Sequence, residues 1–308
     1  MEKKCVIVTG GTGSIGQHLV PLLLGRGDEV HIVTRSPEKV VALGWSGHVV
    51  PHKVDFWDAQ MVRGLYDSVR PKEIYHLAAS LTNWGKSEGL ETLTRVNVLG
   101  TATLMECLET IPDARFVYPG SFVEVGGKNE PIREDHIPEP QEFYGISKLA
   151  GTLEARALSV NKGYNIVAGR IFTAYGPGIP KERLVGAVLQ KMGRNEPVAY
   201  SSPEVSRDFI YVTDIARCLM ELGERAAELR GEVFNIGSGT KTTLRELDTL
   251  AREITGSESE AIWQPEKMGA FDKLPWQADM TKTFSVLRWR PEVTLREGLL
   301  STLRHLKH

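Results

Sequence analysis

Hydrophobic and polar positions follow a repeating rhythm through the first half of the chain. Cys5-Val6-Ile7-Val8 is a short apolar run that ends in a glycine-rich turn, the pattern of a strand buried on both faces. Ile15, Leu19, Leu22 and Leu23 follow at helical spacing, and Gly25 and Gly27 close that segment. Val30-His31-Ile32-Val33 reads as the second strand. Further strands are predicted over Val49–Val54, Glu73–Leu77, Arg115–Tyr118 and Tyr164–Arg170, with helices over 58–69, 92–110 and 146–161. Alternating strands and helices predict an α/β fold with a doubly wound parallel sheet.

After Tyr175-Gly176-Pro177-Gly178-Ile179-Pro180 the rhythm breaks. Residues 182–192 read as a helix and 196–206 as a loop with a short strand. Asp208–Val212 and Glu232–Ile236 read as strands returning to the main sheet, and the C-terminal stretch is helix-rich. Two domains are therefore expected. The first is a dinucleotide-binding domain over residues 1–172 that also receives 208–239. The second is a smaller substrate lobe over 173–308, drawn mainly from 173–207 and 240–308.

Composition narrows the function. The 308 residues are 41% hydrophobic and 25% charged, enough for a sizeable core. Lys and Arg total 37 against 39 Asp and Glu, a net charge of −2, so there is no basic excess for nucleic acid or an anionic membrane. Cys5, Cys107 and Cys218 are odd in number and far apart, which argues against a disulfide framework or a CxxC metal pattern. His48 and His52 make no ligand set with nearby Cys or Asp, and no metal is expected. No apolar run reaches the ~18 residues of a membrane span. The stretch before the glycine turn is too short for a signal peptide, so a cytoplasmic enzyme is the expectation.

Two motifs carry chemistry. Thr9-Gly10-Gly11-Thr12-Gly13-Ser14-Ile15-Gly16 holds both GxGxxG and GxxGxxG. A given GxxGxxG spacing arises by chance about 0.3 times in a chain of this glycine content, so position decides its meaning. This one directly follows a buried-strand run and precedes a helix, as a dinucleotide pyrophosphate site requires. The second is Tyr144-Gly145-Ile146-Ser147-Lys148, the one Tyr-x-x-x-Lys of the chain. On a helix both side chains share a face, and the ammonium favours the phenolate, making Tyr144 a usable acid or base. Ser121 lies just past the strand Arg115–Tyr118, where active-site residues of parallel sheets collect.

Together and in this order, these pieces resemble the extended short-chain dehydrogenase/reductases, specifically the sugar-nucleotide epimerase/dehydratase family, over nearly the whole chain. The resemblance implies a Rossmann sheet and a cofactor site of Gly10, Gly13, Ser14, Ile15, Gly16, Thr34, Arg35, Asp55, Phe56, Leu77, Ala78, Ala79, Tyr144 and Lys148. His76-Leu77-Ala78-Ala79 matches the strand-end motif beside the cofactor, and Asn97-Val98-Leu99-Gly100-Thr101 the helix motif whose Asn supports the active site. Ser121, Tyr144 and Lys148 match the catalytic residues. The resemblance implies that Tyr144 exchanges a proton with the substrate oxygen, that Ser121 holds that oxygen, and that Lys148 positions the nicotinamide ribose and tunes Tyr144. Arg170 through Pro177, Arg207 through Asp214, Phe234 through Gly239 and Trp289 through Leu299 match later motifs. Arg207 stands where the family grips the substrate pyrophosphate, a task suited to a bidentate guanidinium.

Departures from the pattern sharpen the expectation. The 4,6-dehydratases of the family carry an acid at the place of Val123, often with another at Phe122. The apolar pair here disfavours dehydration, and Glu124, one position along a strand, is expected to face the other way. Thr173 replaces the usual asparagine of the Arg-x-x-Asn-x-Tyr-Gly-Pro motif in the substrate site. Thr34-Arg35 stand where NAD-preferring members have an acid, so NADP(H) is expected to bind more tightly than NAD(H), which remains usable. Ile146, Leu149, Ala150, Leu153, Ala157 and Val160 form an apolar stripe, and family members pair such helices into homodimers. The leading expectation is reduction of a 4-keto sugar nucleotide, with a sugar-nucleotide 4-epimerase as the alternative. A non-catalytic dinucleotide-binding protein and a reductase of a lipophilic ketone rank below both.

Overall fold

A computed structural model describes residues 3–81 and 89–307. The first half alternates as expected: β1 (Cys5–Thr9), α1 (Gly16–Gly25), β2 (Glu29–Val33), α2 (Glu38–Ala42), β3 (Val49–His52), α3 (Ala59–Val69) and β4 (Glu73–His76). After the undescribed residues 82–88 come α4 (Leu90–Leu93), α5 (Gly100–Glu106), β5 (Arg115–Ser121), α6 (Phe143–Lys162) and β6 (Asn165–Ile171). These strands and β11 (Val233–Ile236) make one seven-stranded sheet in the order β11-β6-β5-β4-β1-β2-β3. The pairings β3–β2–β1–β4–β5 are parallel, so this is the doubly wound sheet read from the sequence.

Local chemistry explains the elements. Val6, Ile7 and Val8 of β1 are fully buried, which accounts for an apolar run without alternation. In α3 the Asp58 side chain accepts from Gln60 N–H (2.9 Å) and Met61 N–H (3.2 Å), and this cap is worth about 1 kcal/mol. Val62, Leu65, Tyr66 and Val69 of α3 then line its buried face, and left-handed Arg70 ends it.

Three features differ from the sequence reading. The single helix expected over 92–110 is divided. A six-residue π-helix, Thr94–Leu99, separates α4 from α5, and a 3₁₀ turn over Cys107–Thr110 follows. Asp208–Val212 does not return to the main sheet. Instead β10 (Phe209–Tyr211) pairs with β7 (Thr173–Tyr175), so backbone partners close in space satisfy this short run. The division into units also differs. One unit holds residues 1–126, 137–170 and 216–234, and the other 127–136, 171–215 and 235–308.

The second unit adds α7 (Leu184–Gly193), β8 (Ala199–Tyr200), β9 (Ser206–Arg207), β12 (Thr242–Thr243), α9 (Leu244–Thr255), β13 (Ile262–Trp263), α10 (Thr281–Val286) and α11 (Leu295–Leu306). Between these, α8 (Val212–Arg225) carries the chain from the second unit to the first. A separate core forms around Tyr175, Leu189, Leu247 and Leu299. Capping boxes, Thr243 with Glu246 and Thr294 with Glu297, start α9 and α11.

Candidate active site

The carboxyl ends of adjacent β1 and β4 mark the point where the sheet order reverses, the place where such sheets bind ligands. Gly10 leaves β1 with φ +66°, and its N–H donates to Val33 O (3.1 Å). A Cβ on Gly10 would lie 2.7 Å from Ala78 N, and one on Gly13 would lie 3.0 Å from Gly10 O. Gly13 N–H donates to Gly10 O (2.9 Å), folding Ser14 and Ile15 onto the N-terminus of the ten-residue α1. A closed backbone cradle against a helix N-terminus fits a dinucleotide pyrophosphate, and side chains would fill it.

A buried network sets the cradle's floor. Thr9 Oγ1 accepts from Ala78 N–H (3.2 Å) and lies 2.7 Å from His76 Nδ1, while His76 Nε2 lies 3.0 Å from Thr101 Oγ1. Burial and the charge of Lys148 push the His76 pKa down to about 3, so it is a neutral strut at pH 7. Leu77 and Ala78 are half-buried beside the cradle and Ala79 is exposed.

At the end of β2, Thr34 N–H donates to His52 O (3.0 Å), Thr34 Oγ1 accepts from Ser36 N–H (3.1 Å), and Arg35 is exposed. Asp55 is exposed too. Phe56, the neighbour of Asp55 in the predicted adenine segment, turns its side chain inward. Its ring is buried in the core, 5.5 Å from both the Trp57 and His76 rings, so it offers a ligand only its backbone.

The residues matched to the catalytic motif sit on β5 and α6. Helix α6 begins three residues earlier than predicted, which places Tyr144 in its first turn and Lys148 one turn on, on the same face. Lys148 is buried, with Nζ 4.3 Å from the centre of the Tyr118 ring. Burial pulls its pKa down to about 8, with the charge of Glu124 working the other way. Tyr118 donates to Lys148 O (2.9 Å), fixing this turn against β5. Tyr144 is half-buried, and Ser121 is buried at the end of β5.

Asn97 supports this arrangement from behind. The π-helix turns its side chain inward, where Oδ1 accepts from Ser80 N–H (2.7 Å). Asn97 Nδ2 donates to Ser80 O and to Ser147 Oγ, both at 3.0 Å, and Ser147 Oγ donates to Tyr144 O (2.8 Å). Asn97 thus holds the backbone of Tyr144 through Ser147 and is a positioning residue.

Glu124 is where sequence reasoning failed. It lies in a 3₁₀ turn, Phe122–Glu124, rather than on a strand, and its side chain is fully buried. Ser-x-x-Glu is a capping-box spelling, the signal that could have revealed this turn.

In the second unit, Arg207 is buried and paired with Asp272. Its Nη1 donates to Ser206 O (2.8 Å), and its guanidinium stands 4.7 Å over the Phe271 ring. Burial lowers its pKa, against the support of Asp272. A phosphate held by Arg207 must therefore compete with Asp272, a partner with no motif to announce it. Thr173 N–H donates to Asp208 O (3.0 Å), and Thr173 Oγ1 is buried with no hydrogen-bond partner among the described residues.

Among the described residues, Cys5, Glu29 and His31 bring possible metal-ligating atoms within 4.8 Å, at the amino ends of β1 and β2. That is the opposite end of the strands from the cradle. No helix among the described residues is long and apolar enough to cross a membrane.

Comparison with known proteins places the fold in a family. Residues 6–237 match the NAD dependent epimerase/dehydratase family. GDP-6-deoxy-D-mannose reductase of Pseudomonas aeruginosa is 24% identical, over 97% of this chain and 95% of its own. The crystal structure of Thermotoga maritima UDP-glucose 4-epimerase with UDP-glucose superposes with a TM-score of 0.86. It is 26% identical and covers 98% of both chains. Thermus thermophilus UDP-glucose 4-epimerase in complex with NAD has a TM-score of 0.83 at 25% identity, covering 98% of this chain and 99% of its own.

Proposed function

This chain belongs to the NAD dependent epimerase/dehydratase family, and from that membership we propose that it catalyses hydride transfer at C4 of a nucleoside diphosphate sugar, with 4-epimerisation of a UDP-sugar as the reaction. The observation that carries this reading is the buried Lys148 ammonium, held over Tyr118 one helical turn from Tyr144. A dinucleotide held by its pyrophosphate in the glycine cradle would take the C4 hydride and then return it. Tyr144, held as a phenolate by the Lys148 ammonium, takes the proton of the C4 hydroxyl and becomes the neutral phenol, while Ser121 holds that oxygen. Return of the proton from Tyr144, with the keto sugar presenting its other face, completes the inversion. Phe122 and Val123 supply no acid or base for loss of water, so dehydration is disfavoured.

Epimerisation takes precedence here over the 4-keto reduction expected first from the sequence. The likeness to two UDP-glucose 4-epimerases over 98% of the chain supports that order. Reduction is the second reading, supported by the likeness to the GDP-6-deoxy-D-mannose reductase. Arg35 at the end of β2 favours a 2′-phosphate, so NADP(H) is the tighter cofactor in this proposal, although the Thermus relative holds NAD. Either dinucleotide serves epimerisation, because the hydride is returned within the cycle. Arg207 is assigned to the substrate phosphates, in exchange for Asp272. Ile146, Leu153 and Val160 are 50%, 55% and 75% exposed along α6, which supports a homodimer through that face. The test is conversion of UDP-glucose to UDP-galactose by the purified protein supplied with NAD⁺ or NADP⁺. No interconversion and no turnover of a 4-keto sugar nucleotide would remove both readings.

A further inference from the structure

Glu124 is a buried carboxyl that the reaction sequence above leaves unused. Its Oε1 accepts from Ser121 N–H (2.8 Å) and its Oε2 from the Thr152 hydroxyl (2.6 Å). Arg170 Nε, on β6, lies 3.5 Å from Oε1. Gly120 leaves the room, because a Cβ there would run into Glu124 Oε1. Thr152 stands one turn beyond Lys148 and two beyond Tyr144 on α6. A single carboxylate therefore bridges the strand end that presents Ser121 and the helix that presents the other two groups. A turn cap explains the contact with Ser121, but an exposed Ser or Gln would cap a three-residue turn equally well. It does not explain complete burial, the bond to Thr152 or the ion pair.

We propose that Glu124 is a positioning residue, clamping Ser121 against the helix that carries Tyr144 and Lys148 and placing its charge on that helix one turn from Lys148. Its consequence for turnover rests on the hydride-transfer reading; its effect on Lys148 does not. Among the described residues, other titratable groups also lie on the elements around Lys148. His76 on β4 is neutral, Tyr118 on β5 is held protonated by burial, Tyr144 shares α6, and Arg170 on β6 shares Glu124. Glu124 is the anionic influence that raises the Lys148 pKa against desolvation.

The test is Glu124→Gln, which keeps the shape and an acceptor but removes the charge. The ¹⁵Nζ shift of Lys148, identified by its loss in Lys148→Arg, reports the titration without any substrate. The midpoint, about 8 in the wild type, is expected to fall by about one unit or more, a tenfold change in the ratio of charged to neutral lysine at a given pH. With UDP-glucose, kcat is expected to fall about fivefold or more at pH 8 and far less at pH 6, where Lys148 regains its proton, with KM within about threefold. An unchanged midpoint and a pH profile parallel to wild type overturn the electrostatic role. Thr152→Val keeps the charge and cuts the tether. It is expected to lower kcat with the Lys148 midpoint unmoved, and wild-type turnover in it overturns the clamp. If the wild type does not turn over UDP-glucose, the proposed reaction fails while the Lys148 titration still decides the role of Glu124.

Discussion

Replacing Gly10 with alanine tests the cofactor cradle where its geometry is tightest. At φ +66° any L-residue is strained, by about 1–2 kcal/mol for alanine. The new Cβ would also lie 2.7 Å from Ala78 N and 2.9 Å from Ala78 Cα. Both are backbone atoms of the segment after β4 and cannot rotate away, so the overlap adds about 1–3 kcal/mol. The sum, about 2–5 kcal/mol, corresponds to a drop of about 3–8 °C in the melting temperature of a chain this size. Gly27 is the control. It has φ +90° with nothing within 4 Å, so Gly27→Ala carries the backbone strain alone. Displacing Ala78 is also expected to weaken dinucleotide binding by about tenfold or more, or 1.4 kcal/mol. Thermal denaturation measures the first effect and quenching of protein fluorescence by NADH the second. Gly10→Ala that melts with Gly27→Ala and binds NADH as the wild type does would refute this account of the cradle.

Titration calorimetry should find NADP(H) tighter than NAD(H), and Arg35→Ala should remove most of the difference, about 10–150-fold if one charge-assisted contact makes it; an unchanged ratio counts against Arg35. Burial pushes the pKa of both Glu142 and Glu154 up to about 7, the latter helped by Glu106. Their folded values exceed the unfolded ones, so the stability they contribute is present below about pH 4.5 and lost as pH rises through about 7. The double variant Glu142→Gln/Glu154→Gln should therefore gain melting temperature relative to wild type between pH 5 and 8, and a pH-independent difference would contradict this. Light scattering at micromolar concentration should give twice the 34.2 kDa chain mass, and Leu153→Glu should halve it; a monomeric wild type removes the assembly proposal.

What the sequence revealed and what it hid divide along the range of the interactions. The apolar run of β1, the glycine turn and Tyr144-x-x-x-Lys148 are legible because each is a local pattern tied to local geometry. The π-helix at Thr94–Leu99 was not, because apolar spacing over a few residues does not separate π from α winding, and only the inward Asn97 shows what it is for. Glu124 was misassigned because residues 122–124 were read in extended geometry, whereas β5 ends at Ser121 and a 3₁₀ turn follows, although the capping-box spelling was present. The Arg207–Asp272 pair joins residues 65 positions apart, and no periodicity reports such a contact. For Phe56, the motif located the segment but could not say that the ring turns into the core.

The most direct measurement of the central claim follows deuterium at C4. UDP-[4-²H]glucose is incubated with the enzyme and oxidised dinucleotide, and the product is analysed by NMR and mass spectrometry. The account predicts UDP-galactose with the deuterium retained at C4, no net reduced dinucleotide, and a rate about 10²–10⁴-fold lower in a folded, cofactor-binding Tyr144→Phe variant. Deuterium lost to solvent, or turnover in Tyr144→Phe within threefold of wild type, would contradict hydride transfer governed by Tyr144 and Lys148.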